Sequence, residues 1–209
     1  MSEPSLFIVS APSGAGKTSL VRALLETMPQ ITVAVSHTTR PIRSGERDGV
    51  DYYFVQPAVF QRMAAEGAFL EHARVFDHWY GTSRLAVERE WAQGRDVILE
   101  IDWQGARQIR ERLPQCASVF ILPPSLDALR YRLTQRGGDE CAVIERRMRD
   151  AVNEISHYAE YDYLVVNDDF GKALSDLQAI VRARRLRCSV QRHALAHTLR
   201  CLMARSPLV

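Results

Sequence analysis

At 209 residues, the chain has the length of one α/β domain carrying insertions. Hydrophobic residues at 46% and charged residues at 25% exclude a disordered chain, and no apolar run approaches the ~18 residues of a membrane span. The net charge of +2 is uneven, because residues 172–209 hold eight Lys or Arg against one acid, Asp176. No basic, apolar and small-residue leader opens the chain, so a cytoplasmic location is expected. Cys116, Cys141, Cys188 and Cys201 form no Cys-x-x-Cys pair, which argues against a disulfide framework or a zinc ribbon and for free thiols in a reducing compartment.

The first apolar run, Leu6-Phe7-Ile8-Val9, reads as a buried strand, and Ser19 to Leu25 reads as a helix. Between them stand Ala11, Pro12, Ser13, Gly14, Ala15, Gly16, Lys17 and Thr18, a phosphate-binding loop in its strand-to-helix setting. Glycines let successive N–H groups curl around a polyphosphate, the helix N-terminus adds partial positive charge, and the lysine reaches the outer phosphates. The Thr18 hydroxyl is then placed for Mg²⁺. The strict pattern has glycine where Ala11 stands, but Pro12 biases residue 11 toward an extended conformation open to any side chain. Of 27 basic residues only Lys17 and Lys172 are lysines, so a lysine here is not background.

Residues 36–85 break the strand-helix rhythm, being rich in Thr, Arg, Gly and Tyr with short β-like pieces, among them a strand expected at 50–55. This stretch reads as an insertion that carries a ligand. Further strands are expected at 96–101, 117–122 and 163–166, and these are continuous apolar runs suited to a parallel sheet covered on both faces. Helices are expected at about 57–66, 84–93, 103–112, 125–136, 140–160 and 171–203. Arg136-Gly137-Gly138-Asp139-Glu140 interrupts two helical segments; Gly-Gly is permissive backbone, and a loop of this sort can close over phosphates.

The phosphate loop, Ser36-His37-Thr38-Thr39-Arg40-Pro41-Ile42-Arg43-Ser44-Gly45-Glu46, Asp51-Tyr52, Tyr80-Gly81-Thr82 and Glu100-Ile101-Asp102 follow one another in family-like order and spacing. With these fragments the chain closely resembles the guanylate kinase family, from about residue 5 to 187. The resemblance implies a P-loop NTPase three-layer α/β/α fold with a central parallel sheet, in which the core takes about 5–35, 84–125 and 160–187. It implies a β-rich GMP-binding insertion at about 36–83 and a mobile lid at about 126–159; residues 188–209, beyond the resemblance, are expected from their composition to form a basic helical tail. The implied reaction is reversible transfer of the ATP γ-phosphoryl group to GMP, with Mg²⁺, in purine nucleotide metabolism.

Residue by residue, the resemblance assigns the GMP phosphate to Arg40, Arg43, Tyr52 and Tyr80, with Gly81 beside them. The chemistry agrees, since guanidinium forks pair with phosphate oxygens and phenols donate without adding charge. Glu71 matches the guanine-reading carboxylate: guanine offers a ring N–H beside an exocyclic amine, whereas adenine offers an acceptor there. Ser36 and Thr82 match hydroxyls that complete base recognition. Glu100 and Asp102 close a strand at the site edge of an open α/β sheet, Asp102 near the base and the metal's water shell. At position 100 the family more often has aspartate. Arg132, Arg136 and Arg147 match lid and phosphate-bridging arginines, and Asn167 matches a position near the adenine of ATP.

Other readings of the same residues are weaker. Asp102-Trp103-Gln104-Gly105 fits the Asp-x-x-Gly of GTPase switches, but no Asn-Lys-x-Asp motif follows. A catalytically silent binding module would not need the intact Lys17, Thr18, Arg136 and Arg147. A kinase of ribose bisphosphate would not need Ser36, Glu71 and Thr82. His193, His197 and Cys201 recur at four-residue steps, a stripe read as packing or a subunit contact rather than a metal site. The basic tail lacks stacking aromatics, so nucleic acid is not expected. Its apolar positions, Leu174, Leu177, Val181, Leu195, Leu199 and Leu202, are expected to pack on the core or on a second copy of the chain.

Overall fold

The computed structural model describes residues 4–75, 77–135 and 141–204. The chain runs through β1 (Leu6–Ser10), α1 (Lys17–Thr27), β2 (Ile31–Val33), β3 (His37–Thr38), β4 (Tyr53–Phe54), α2 (Pro57–Ala65), β5 (Phe69–Val75) and β6 (His78–Ser83). It continues through α3 (Arg84–Ala92), β7 (Asp96–Glu100), α4 (Trp103–Arg112), β8 (Ala117–Leu122), α5 (Leu126–Gln135) and α6 (Cys141–Ser156). After a 3-10 turn at Tyr158–Glu160 come β9 (Tyr163–Val166), α7 (Phe170–Arg185), α8 (Cys188–Ala194) and α9 (Ala196–Ala204).

Five strands form one parallel sheet in the order β2-β7-β1-β8-β9, with Ile8 opposite both Leu99 and Ser118. Side chains alternate across it, so each apolar run needs cover on both faces. On one face Phe7, Val9, Val119 and Ile121 pack with Leu20 and Leu24 of α1 and Leu177 and Val181 of α7. On the other, Leu6, Ile8, Leu99 and Phe120 pack with Val87 of α3 and Ala106 and Ile109 of α4. Each fully buried Leu, Ile, Val or Phe stabilises by roughly 1.5–3 kcal/mol. The central strand β1 is thereby rigid where it delivers the phosphate loop, at the carboxyl edge of the sheet where open α/β folds bind ligands.

The segment between β2 and α3 builds a second, four-stranded sheet in the order β4-β3-β6-β5. Its own small core is aromatic: Phe60 stacks on Phe69 at 4.6 Å and on Trp79 at 6.0 Å, and His37 stacks on Tyr53 at 4.8 Å. Gly81 sits against this cluster, where a Cβ would come within 3.0 Å of both Phe60 and Phe69. Only a residue without a side chain leaves those rings in place.

Three expectations differ from the structure. The strand expected at 50–55 shrinks to Tyr53–Phe54, because residues 47–52 turn: the Gly49 N–H donates to the Tyr52 carbonyl at 2.8 Å and Asp48 accepts from the Phe54 N–H at 2.8 Å. The helix expected across 171–203 is three helices, broken where Arg187 turns extended and again at Leu195. Of its apolar positions, Leu177 and Val181 are buried and Leu174 packs against them, but Leu195, Leu199 and Leu202 are exposed. Two arginines at the end of α7 are tied to the core. Arg185 donates to Asp96 at 2.7 Å, and the buried Arg184 donates to the Gln115 carbonyl. The loop 136–140 lies outside the described residues.

The helix α6 is moored at its C-terminal end. His157 stacks on Trp103 at 3.7 Å with planes 10° apart, and Glu160 pairs with Arg107 at 2.6 Å and Arg110 at 2.7 Å. The hydrogen bond from Arg107, joined by those from His157 and Arg110, holds the Glu160 carboxyl down at about 2.

Candidate active site

The phosphate loop is shaped by two left-handed glycines, Gly14 at φ 95° and Gly16 at φ 94°. Among the described residues, Gln30 and Asp77 alone combine a side chain with positive φ, so the backbone at Ala11 makes no demand for glycine. Gly16 is also a point of close approach. A Cβ there would lie 2.3 Å from the Asn167 amide nitrogen, which donates to the Ala15 carbonyl at 2.7 Å. Asn167, 6% exposed at the end of β9, thus buttresses the loop from below. Arg132 of α5 donates to the Asn167 carbonyl at 2.9 Å, and its other terminal nitrogen is buried with no hydrogen-bond partner among the described residues. An open cleft of about 390 Å³ is lined here by Gly14, Gly16, Ser19, Tyr131, Arg132 and Asn167, among others.

At the first turn of α1, the Thr18 hydroxyl donates to Glu100 Oε2 at 3.2 Å, linking loop to β7. Two residues on, Asp102 caps α4 by accepting from the Gly105 N–H at 3.0 Å, and its second oxygen accepts from Gln104 at 3.0 Å. A hydroxyl and two carboxylates at the edge of a phosphate loop are hard oxygen donors, the set that suits Mg²⁺. Glu154 of α6 also lies beside the loop, a residue that sequence reasoning did not single out. Burial pushes its carboxyl up to about 7, while Lys17 and the Ser13 N–H draw it back. Its sequence neighbours carry no phosphate-site signal; only the packing of α6 brings it to the loop.

The second cradle is assembled from both sheets. A bulge in β5 between Phe69 and Glu71 brings Glu71 opposite Thr82 of β6. The Thr82 hydroxyl donates to Glu71 Oε1 at 2.6 Å, and the Ser36 hydroxyl lies 3.3 Å from that of Thr82. Glu71 is only 2% exposed, and burial pushes its carboxyl up to about 7 against the hydrogen bond from Thr82. An acid with no role toward a ligand would sit at the surface rather than inside a sheet.

Arg40, 8% exposed, forms a two-pronged pair with Glu46 at 2.7 and 3.0 Å and lies over the rings of Tyr52 and Phe54 at 5.5 and 5.6 Å. The Arg40 hydrogen bond holds the Glu46 carboxyl below the usual carboxylate range. Tyr52 meets Tyr80 edge to face at 5.9 Å, and burial pushes the Tyr52 phenol up to about 12. The Tyr52 phenol therefore stays a neutral donor. Arg43 is exposed at the loop tip, and Arg147 is half-buried on α6. Arg136 lies outside the described residues. Glu46 is the partner not foreseen for Arg40; a glutamate six residues along an arginine loop was the available signal.

The sequence stripe of His193, His197 and Cys201 is split between α8 and α9, with Cys201 3.6 Å from His197. Among the described residues no group of three or more His, Cys, Asp or Glu could hold a metal ion, and no helix is long and apolar enough to cross a membrane.

A parallel sheet with β1 feeding a phosphate loop, and beside it a second cradle with a buried carboxylate, defines a P-loop NTPase-type fold built to bring two ligands together. Comparison with known proteins names the branch. The guanylate kinase family profile matches residues 3–184. A guanylate kinase of Alkalilimnicola ehrlichii is 63% identical over 199 residues, covering 95% of this chain and 98% of that protein. One from Methylococcus capsulatus is 60% identical, covering 93% and 94%. A crystal structure of guanylate kinase from Anaplasma phagocytophilum superposes with a TM-score of 0.77 at 35% identity, covering 93% of this chain and 95% of the other. The chain belongs to the guanylate kinase family.

Proposed function

We propose that the two cradles divide the guanylate kinase reaction between them, ATP on the phosphate loop and GMP on the four-stranded sheet. The chain is an ATP:GMP phosphotransferase that transfers the γ-phosphoryl group of ATP to GMP, giving ADP and GDP. In this reading residues 36–83 form the GMP-binding insertion, 126–159 the lid, and the rest up to 187 the core. The observation that carries it is Glu71, a carboxylate kept inside a sheet with Thr82 and Ser36 along one hydrogen-bonded chain. Such a group is costly to bury unless it has work to do on a ligand.

The guanine ring N–H and exocyclic amine donate to Glu71, and Ser36 and Thr82 complete the contact. Arg40, Arg43, Tyr52 and Tyr80 receive the GMP phosphate, with Gly81 keeping the strand behind them narrow. Glu46 holds the Arg40 fork in place before GMP arrives, so less side-chain freedom is lost on binding. The loop from Ala11 to Thr18 wraps the ATP phosphates, Arg132 and Asn167 border the nucleoside side, and Lys17, Arg136 and Arg147 neutralise charge on the group in transfer. No general base is needed, because a phosphate monoester with second pKa near ~6 is already largely dianionic at neutral pH. Catalysis is then alignment and charge neutralisation in a cleft from which water is excluded.

Thr18 is the residue that would hold Mg²⁺ on the nucleotide, with Asp102 near its water shell and Glu100 bordering the GMP site. Bound there, the ion would supply charge neutralisation between the donor phosphates. The pathway is purine nucleotide metabolism in the cytoplasm.

The test follows ADP release by the purified chain with ATP and Mg²⁺ while GMP, AMP, UMP, dTMP or ribose bisphosphate is offered in turn. ADP with GMP alone is expected. Folded protein that releases no ADP with any acceptor would point instead to a binding module, and release with ribose bisphosphate would remove the role given to Glu71.

A further inference from the structure

The strand that carries Glu71 is the edge of its sheet, so alternate N–H and C=O groups along β5 have no neighbouring strand. They are met instead by side chains from α4. Gln104 donates to the Arg74 carbonyl at 3.4 Å. Gln108 donates to the His72 carbonyl at 2.8 Å and accepts from the His72 N–H at 3.3 Å, and Arg112 donates to the Leu70 carbonyl. The spacings agree: four helical residues advance about 6 Å, and two strand residues advance about 6.6 Å. Three side chains from one helix face therefore serve three successive outward-facing residues of the strand, with helix and strand running in opposite directions.

Gly105 lies on the same helix, one residue from the first rung. A Cβ there would come within 2.5 Å of Glu71 Oε2 and 3.1 Å of its Cδ. Gly105 does not have positive φ, and glycine inside a helix is disfavoured relative to alanine. What this glycine supplies is room for the carboxylate. Glu71 cannot swing away cheaply, because Thr82 holds its other oxygen at 2.6 Å. The first rung is tied into the site as well, since Gln104 also donates to Asp102 at 3.0 Å.

We propose that Gln104, Gln108 and Arg112, with the gap left by Gly105, are positioning residues for guanine discrimination: they seat β5 on α4 at the separation that holds the Glu71 carboxylate against the base. The proposal rests on the reading of Glu71 as the guanine acceptor. It separates α4 into two functions, since its inward face fills the core while its rail face sets acceptor selectivity. A helix that merely docked two sheets would tolerate alanine at position 105.

The experiment compares GMP with IMP, which keeps the ring N–H but lacks the exocyclic amine, as acceptors for the full chain with ATP and Mg²⁺. Glu71→Gln serves as the reference that collapses the preference for GMP. Gly105→Ala is expected to lower the GMP-over-IMP ratio of kcat/KM by about tenfold, through the KM for GMP, with the KM for ATP within about twofold. Its thermal midpoint should fall by a few degrees, because the cost of displacing Glu71 is only partly offset by the helix preference of alanine. Gln108→Leu, which leaves position 105 untouched, is expected to lower the ratio by about threefold in the same pattern. Should Gly105→Ala not fold, Gln108→Leu decides alone. Wild-type selectivity in these variants, beside collapse in Glu71→Gln, would overturn the rail while leaving the Glu71 reading intact. Undiminished selectivity in Glu71→Gln would overturn that reading and the rail with it.

Discussion

The phosphate loop and the proposed guanine cradle solve the same problem, holding a charged ligand in a fixed place, by opposite means. The loop draws its donors from eight consecutive residues, most of them backbone N–H groups, and its rigidity comes from β1 behind it and Asn167 beneath it. The cradle draws Ser36, Glu71 and Thr82 from three places in the chain and aligns them by a bulge and a hairpin pairing. Contiguity makes a site robust, because few tertiary contacts can spoil it. Assembly from distant parts makes a site selective and tunable, because its geometry depends on how one sheet sits against another.

The largest expected effect lies in the loop. Lys17→Met removes the one flexible cation of the loop and should lower kcat by about 10³-fold or more while leaving the thermal midpoint unchanged. Retained turnover in the purified variant would sink the assignment of this loop as the ATP site.

A smaller effect, confined to one substrate, is expected from the cradle. In the proposed reading Glu71 must be ionised to accept the two guanine N–H groups, and burial pushes its carboxyl up to about 7. The KM for GMP should therefore rise several-fold between pH 7.5 and about pH 6, with the KM for ATP nearly flat. GMP's own phosphate titrates in this range, so the control is Glu71→Gln, in which the part due to the protein disappears. Stability carries the opposite sign. The folded chain keeps this proton to a higher pH than the unfolded chain, so the group weakens folding as pH rises from about 4.5 through 7. Glu71→Gln should lose that slope in thermal melts. A GMP KM that is equally pH-dependent in wild type and variant would break the contrast between loop and cradle.

The smallest effect falls at the mooring of α6. The Glu160 carboxyl is depressed to about 2, so its contribution to stability is present above about pH 4.5 and fades as pH falls toward 2. Being partly exposed, the cluster is screened; Glu160→Gln should lower the thermal midpoint at pH 7 by about 3 °C and leave it unchanged near pH 2. A deficit that persists at pH 2 would assign the loss to packing around the Trp103–His157 stack rather than to charge.

How far the site was legible follows the same divide. Strands β1, β7, β8 and β9 are continuous apolar runs, and a parallel sheet covered on both faces follows from that pattern. β2 has three residues, too few for any period to register, and β5 with β6 hides aromatic and charged residues that face a private core. The tail's helical period ran unbroken through Arg187, where only the local backbone turns the chain. Glu154 carried no motif of its own and its partners lie on other elements, while Glu46 ends the Ser36–Glu46 fragment but meets Arg40 only across a turn.

By itself the sequence determined the phosphate loop, the alternation of buried strands and helices, and the family to which the chain belongs. All three depend on short-range order: glycines at set spacings, apolar period, fragments in a fixed succession. Only the tertiary structure decided that Gly105 makes room for Glu71, that Gln104, Gln108 and Arg112 serve the free edge of β5, and that Asn167 braces the loop 152 residues before it. Those relations are distances between residues far apart in the chain, set by how buried faces pack, and no local pattern encodes them.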